Sequence, residues 1–285
     1  MIIGQYFKLL RIKHYIKNIL VFIPLFFSQS IGNINLLISV VWGYVAFCLT
    51  ASAVYVLNDL RDVEKDRNHP TKRFRPIASG AISEFHASLA AIVCGIMAFL
   101  CSWQTGKLWA VLFLALYVSI NLLYSFGLKN KPIMDVVILS AGFVIRVLYG
   151  GYLVNVPISG WLYLTVIFGA LYMGLGKRRN ELEKQKRTGE TRTVLKYYSY
   201  KFLDKNMYVC MAMTEIFYAL WAMNHTNQLM IWSVPILAIL LIRYSYDIEG
   251  NSDGDPVEVL VHDKALILIS LLLGGFLCGI LYFYH

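Results

Sequence analysis

The block INLLISVVWGYVAFCLTASAVYVL, residues 34–57, contains no charged side chain. At the helical rise, about twenty apolar residues match the roughly 30 Å hydrocarbon core of a bilayer. Comparable blocks recur near 18–30, 85–103, 107–126, 132–154, 160–176, 206–223, 229–246 and 265–284. They predict an all-α polytopic membrane protein of about nine spans, the first of them short. Hydrophobic residues occupy 58% of the 285 positions and charged residues 15%, too little polar surface for an exterior that faces water. No Gly-, Ser- or Pro-rich linker divides the chain and no internal repeat is visible, so residues 1–285 read as one integral-membrane domain.

The basic residues orient it. Lys8, Arg11, Lys13 and Lys17 precede the first span, six bases lie between Arg61 and Arg75, Lys129 and Lys131 follow the fourth span, and a dense run follows the sixth. The alternate loops, 31–33, 104–106, 155–159 and 224–228, carry no Lys or Arg. By the positive-inside rule, the N-terminus and the loops at 58–84 and 177–205 are expected in the cytoplasm, with the C-terminus outside a cell membrane. The net charge of +9 is thus a topology signal first and an attraction to anionic headgroups second. Bases confined to membrane-proximal loops argue against nucleic acid as a partner. Residues 1–17 interleave Ile2, Tyr6, Leu9, Leu10 and Ile16 with bases, the pattern of an interfacial amphipathic segment. No A-x-A-like site follows Phe27, so this segment is expected to be retained. The cysteines form no C-x-x-C pair and the histidines show no zinc spacing, so the cysteines read as small packing residues.

One charged stretch stands apart: NDLRDVEKDRNHPTKRFRPIASG, residues 58–80. On a helix continuing from the second span, Asp59, Asp62 and Asp66 fall within about 60° of one another, with Asn58 beside Asp62. Carboxylates gathered on one face repel unless a positive group lies between them. Hard oxygen donors without Cys or His point to Mg²⁺, with Mn²⁺ as the alternative ion. Next come Lys72, Arg73 and Arg75, framed by Pro70 and Pro76; guanidinium and ammonium groups are natural phosphate grips. Carboxylates for a metal beside cations for phosphate describe a Mg²⁺-chelated diphosphate.

An N-D-x-x-D-x-x-x-D motif after the second of about nine spans resembles the UbiA superfamily of intramembrane prenyltransferases, and the likeness covers essentially the whole chain. The resemblance implies a UbiA-like helix bundle with a cytoplasm-facing cavity. Typical members carry a second Asp-rich motif near the sixth span, but here stands GKRRNELEKQKRTGE, residues 176–190, with Lys177, Arg178, Glu181 and Lys184 on one helical face. Together with RIKHYIKNILVFIPL (11–25), YSFGLKNKPIMDVVILSAGFVIR (124–146) and RYSYDIEGNSDGDPVE (243–258), this looks like the polyprenyl-phosphate (decaprenyl-phosphate) 5-phosphoribosyltransferase branch. Similarity implies phosphoribosyl diphosphate as donor, a long-chain polyprenyl phosphate as acceptor, pyrophosphate as leaving group, and a place in making lipid-linked pentose donors for cell-envelope glycans. A homo-oligomer is compatible with it.

In that frame Asp59, Asp62 and Asp66 hold the metal with Asn58 beside them, and Lys72, Arg73 and Arg75 help with the pyrophosphate. Lys177, Arg178 and Lys184 grip a phosphate of either substrate, while Glu181 holds a ribose hydroxyl or pairs with Arg178. Tyr124, Asp135 and Arg146 are further lining candidates; an intramembrane Arg marks a functional interior or a structural ion pair. Arg187, Tyr197 and Tyr198 read as a solvated loop, and 247–263 as an acidic lid or spacer without calcium-loop spacing. Two rivals remain open on the residues alone: a prenyltransferase using a prenyl diphosphate, and a transporter or flippase.

Overall fold

The computed structural model describes residues 2–188, 193–249 and 256–284. All regular structure among them is helical, and the chain divides into two compact units, Met1–Phe126 with Ile145–Pro157 and Gly127–Val144 with Ile158–His285.

The first unit contains α1 (Ile2–Leu9), α2 (Ile23–Phe27), α3 (Ile34–Arg61), α4 (Val63–Arg67), α5 (Glu84–Gln104), α6 (Ala110–Ser125) and the C-terminal part of α7 (Met134–Val154). Helix α3 begins where the Asn33 side chain accepts from the backbone N–H groups of Asn35 and Leu36, and α5 begins on an equivalent Ser83 cap. The core is apolar and aromatic: Phe47 of α3 meets Tyr117 of α6 and Tyr149 of α7 at ring separations of 4.8 and 5.6 Å. Gly150 is required here, because a Cβ would stand 2.1 Å from the Val21 carbonyl oxygen.

The second unit holds the N-terminal part of α7 and α8 (Gly160–Thr188), α9 (Tyr200–Met223), α10 (Ser233–Glu249), α11 (Pro256–His262) and α12 (Lys264–Phe283). Helices α8 and α9 pack along each other, joined by a core that includes Tyr172, Leu175, Leu203 and Met207. Gly174 lets α8 lie close to α7, since a Cβ there would be 2.8 Å from Val136 Cγ1.

Five described helices are long and apolar enough to cross a membrane: Ile34–Arg61, Glu84–Gln104, Met134–Val154, Gln228–Glu249 and Lys264–Phe283, with Ala110–Ser125 shorter. Helices α8 and α9 fall outside this set because each joins an apolar stretch to a charged one; residues 177–188 continue α8 as good helix formers without Gly or Pro. One expectation needs correction, that of a helical span at 18–30: the block is not one α-helix. It runs as a 3-10 segment, Ile12–Phe22, then α2, with Pro24 in the first turn where its missing N–H is harmless.

Candidate active site

In the first unit α3 stops at Arg61, and Asp62 forms the junction to α4 while its N–H still bonds to the Asn58 carbonyl. This near-continuous course brings Asp59 and Asp66 together, each 4% exposed. One Arg75 guanidinium nitrogen donates to Asp59 Oδ1 at 3.0 Å and to Asp66 Oδ2 at 2.7 Å. Asp59 Oδ1 also accepts from Arg11 at 2.6 Å. Two buried carboxylates are tolerable because two cations face them. Asn58 Oδ1 accepts a short hydrogen bond from Ser125 Oγ of α6, which anchors the start of the motif.

Arg11 escaped the sequence reading as a site residue. It ends α1 in the left-handed region at φ 51°, and its guanidinium lies 4.7 Å from the Tyr55 ring centroid. The motif stretch at 58–80 gives no hint of a partner nearly fifty residues upstream; only the intramembrane-facing Asp needing a cation could have prompted a search. Lys72 and Arg73 form an exposed 3-10 turn, with Arg73 against Phe74, and Tyr124 is half-buried on α6.

Arg146, expected as a lining residue, is 4% exposed and serves the interior of this unit. Its Nε donates to Asn18 Oδ1 at 2.7 Å and another guanidinium nitrogen to the Tyr117 hydroxyl at 3.3 Å. Its charge also rests on the Phe47 and Tyr117 rings, at 4.7 and 5.0 Å. The Asn18 amide in turn donates to Cys48 Sγ at 3.1 Å, so this network ties the 3-10 segment to α3, α6 and α7.

The second unit departs further from expectation. Arg178, Arg179 and Asn180 are consecutive on α8 and all buried, so helical rotation sends them to different neighbours. Arg178 Nε donates to Asp135 Oδ2 at 2.6 Å and its NH1 to Glu181 Oε2 at 2.6 Å. Arg179 pairs with Asp204 of α9 and, at 3.4 Å, with Glu249 of α10. The Asn180 amide donates to the Ile248 carbonyl at 2.9 Å. Arg178 and Asp135 were expected as substrate contacts; they are buried in contact with each other, while Lys177, Glu181 and Lys184 remain partly exposed.

Tyr198 is also displaced from its expected solvated loop. It is 8% exposed; its hydroxyl donates to Asp135 Oδ1 at 2.6 Å and accepts the Ile133 N–H at 2.5 Å. Burial pushes that hydroxyl up to about 12, so it remains a proton donor at neutral pH. Near the acidic segment, Arg243 meets Asp263 at 2.5 Å and Asp247 at 3.5 Å. Residues 250–255 of that segment and Arg187's side chain lie outside the described residues.

The model of the UbiA prenyltransferase family matches residues 19–262. The chain belongs to that family. Among its UbiA relatives, the decaprenyl-phosphate phosphoribosyltransferase of Mycolicibacterium smegmatis is 34% identical over 97% of this chain and 92% of that protein. The enzyme of the same name from Mycobacterium tuberculosis is 34% identical over 93% and 90%. A solved structure of a UbiA homolog from Archaeoglobus fulgidus bound to GPP and Mg²⁺ matches with a TM-score of 0.73 at 20% identity, covering 97% of this chain and 99% of that one. The same homolog has also been solved bound to Cd²⁺. The UbiA fold and a multi-pass membrane protein are thereby established.

Divalent metal fits one part of this UbiA chain by donor chemistry. Among the described residues no three His, Cys, Asp or Glu side chains meet as a metal site. Two of the trio Asp59, Asp62 and Asp66 converge, with the Arg75 guanidinium between them as a shared cation. Buried hard-oxygen donors around one positive group are the setting Mg²⁺ takes, usually completed by water and substrate phosphates.

Proposed function

We propose that the protein transfers the 5-phosphoribosyl group of phosphoribosyl diphosphate to a long-chain polyprenyl phosphate, at the cytoplasmic face of a membrane crossed about nine times by one domain. The observation that carries this reading is the likeness to decaprenyl-phosphate phosphoribosyltransferases across nearly the full length of both chains. The bond from ribose C1 to the pyrophosphate oxygen breaks, and a bond from C1 to an oxygen of the lipid phosphate forms. Positive character on the ring and negative charge on the leaving group develop together.

Asp59, Asp62 and Asp66 would hold Mg²⁺, which when bound supplies positive charge against the departing pyrophosphate. Arg75, which donates to Asp59 and Asp66, would offer its guanidinium donors to a phosphate oxygen, and Lys72 and Arg73 would add two more cations on the same segment. Lys177 and Lys184, both partly exposed on α8, are the second unit's cations for a phosphate. The attacking lipid phosphate needs no general base, because a monoester with a second pKa near 6 is mostly dianionic at neutral pH.

The test is direct. Purified protein with Mg²⁺, labelled phosphoribosyl diphosphate and decaprenyl phosphate is expected to yield a labelled, solvent-extractable lipid and stoichiometric pyrophosphate. Consumption of geranyl or longer prenyl diphosphates in place of the sugar donor would overturn the reading in favour of an ordinary prenyltransferase.

A further inference from the structure

We infer that Glu181 recognises the ribose hydroxyls of the donor, and that Tyr198, Asp135 and Arg178 are positioning residues that aim its carboxylate. The inference rests on the phosphoribosyl reading and adds which group reads the sugar. Four hydrogen bonds link one backbone amide to one half-exposed carboxylate. They run from the Ile133 N–H to the Tyr198 hydroxyl (2.5 Å), to Asp135 (2.6 Å), to Arg178 (2.6 Å) and to Glu181 (2.6 Å). Asp135 is 0% and Arg178 1% exposed at the side chain, whereas Glu181 keeps 24%.

Such a chain is a costly way to hold α7 against α8. Packed apolar residues of similar size stabilise as well as a buried ion pair or better. What the ionic chain adds is direction, fixing the rotamer of its one partly exposed member. Its far end is anchored on Ile133, a β-branched residue at φ 69°, where such side chains are genuine outliers. Strain of that kind persists where surroundings over-determine it and gathers at functional sites.

The chemistry of the exposed end selects the ligand. A carboxylate only accepts hydrogen bonds, so it suits hydroxyls and repels phosphates. Lys177 precedes Glu181 by about 6 Å of helix rise and Lys184 follows by about 4.5 Å, all three partly exposed on α8. Cation beside carboxylate is the complement of phosphate beside diol. Phosphoribosyl diphosphate has that arrangement; a prenyl diphosphate has no hydroxyl to offer.

The experiment compares phosphoribosyl diphosphate with its 2-deoxyribose analogue in the full-length enzyme, with decaprenyl phosphate as acceptor. Wild type is expected to prefer the hydroxylated donor by about 10⁴-fold in kcat/KM, as sites built around a hydroxyl do. Glu181→Ala should bring that preference to within a few-fold and leave the KM for decaprenyl phosphate unchanged. The isosteric Glu181→Gln, which keeps the fold if alanine does not, should fall between. Tyr198→Phe, which retains the ring against Phe202, should raise the donor KM several-fold and spare the acceptor KM. Wild-type product with full donor preference retained in both Glu181 variants would overturn this inference and leave the phosphoribosyl reading intact. Absence of lipid-linked product from wild type would overturn both.

Discussion

In the first unit Arg11 and Arg75 share the Asp59 carboxylate and keep 24% and 31% exposure; in the second, Arg178 and Arg179 are 1% and 2% exposed and each has carboxylates of its own. Half-solvated cations are cheap to detach, because water takes over as they leave. Arg178 is not, because it is itself buried and Asp135, 0% exposed, would be left with no solvent to turn to. Density of positive charge along the chain therefore says little about which bases meet a ligand. The arginines around the Asp motif are partly exposed, and those of the KRRN run are buried.

The comparison breaks most visibly at Arg178. Arg178→Ala should cost about 3–5 kcal/mol, the usual penalty for stranding a buried partner, read as a large drop in thermal melting of the detergent-solubilised protein. Melting close to wild type would remove the distinction between the two clusters. Asp59→Asn sharpens the other side: turnover should fall about 1000-fold, or about 4 kcal/mol in barrier height, while the protein still elutes as a folded species. Wild-type rates in that variant would end the metal assignment.

Arg75→Gln should lose about 10- to 100-fold in kcat/KM, with a drop in melting smaller than that of Arg178→Ala because the amide still donates to the buried Asp66. It carries a second readout. With its competing guanidinium gone, the Asp59–Asp66 pair should gain more thermal stabilisation from added Mg²⁺ than wild type does, since a ligand stabilises in proportion to its affinity for the folded state. An unchanged Mg²⁺ response would mean that Arg75 does not occupy the cation's place. Arg11→Lys should be mildest, a few-fold loss, because an ammonium keeps the charge on Asp59 and gives up the planar stack on Tyr55.

Much of the helical layout was legible, for α3, α5 and α12 begin and end within a few residues of the apolar blocks that announced them. Apolar length is a local property and survives in a one-dimensional reading. The convergence of Asp59 and Asp66 was legible for the same reason, being set by helical spacing. Pairings across distant segments were not. Arg11 finds Asp59, Asp135 finds Arg178 and Tyr198, and Arg179 finds Glu249 at separations of 43 to 70 residues. Nothing in KRRNE distinguishes the base that turns inward from the one that stays wet, because that depends on which neighbour each 100° step meets. The 3-10 course of Ile12–Phe22 was equally hidden, since its apolar content is that of an ordinary span.

Arg11 adopts φ 51° and ψ 47°, torsions that glycine takes without penalty and most side chains resist. Glycine, however, has nothing to offer Asp59. Position 11 is thus pulled between torsional ease and electrostatics. Libraries screened for heat resistance alone should drift there toward glycine or asparagine, whereas libraries screened for catalytic output should return arginine.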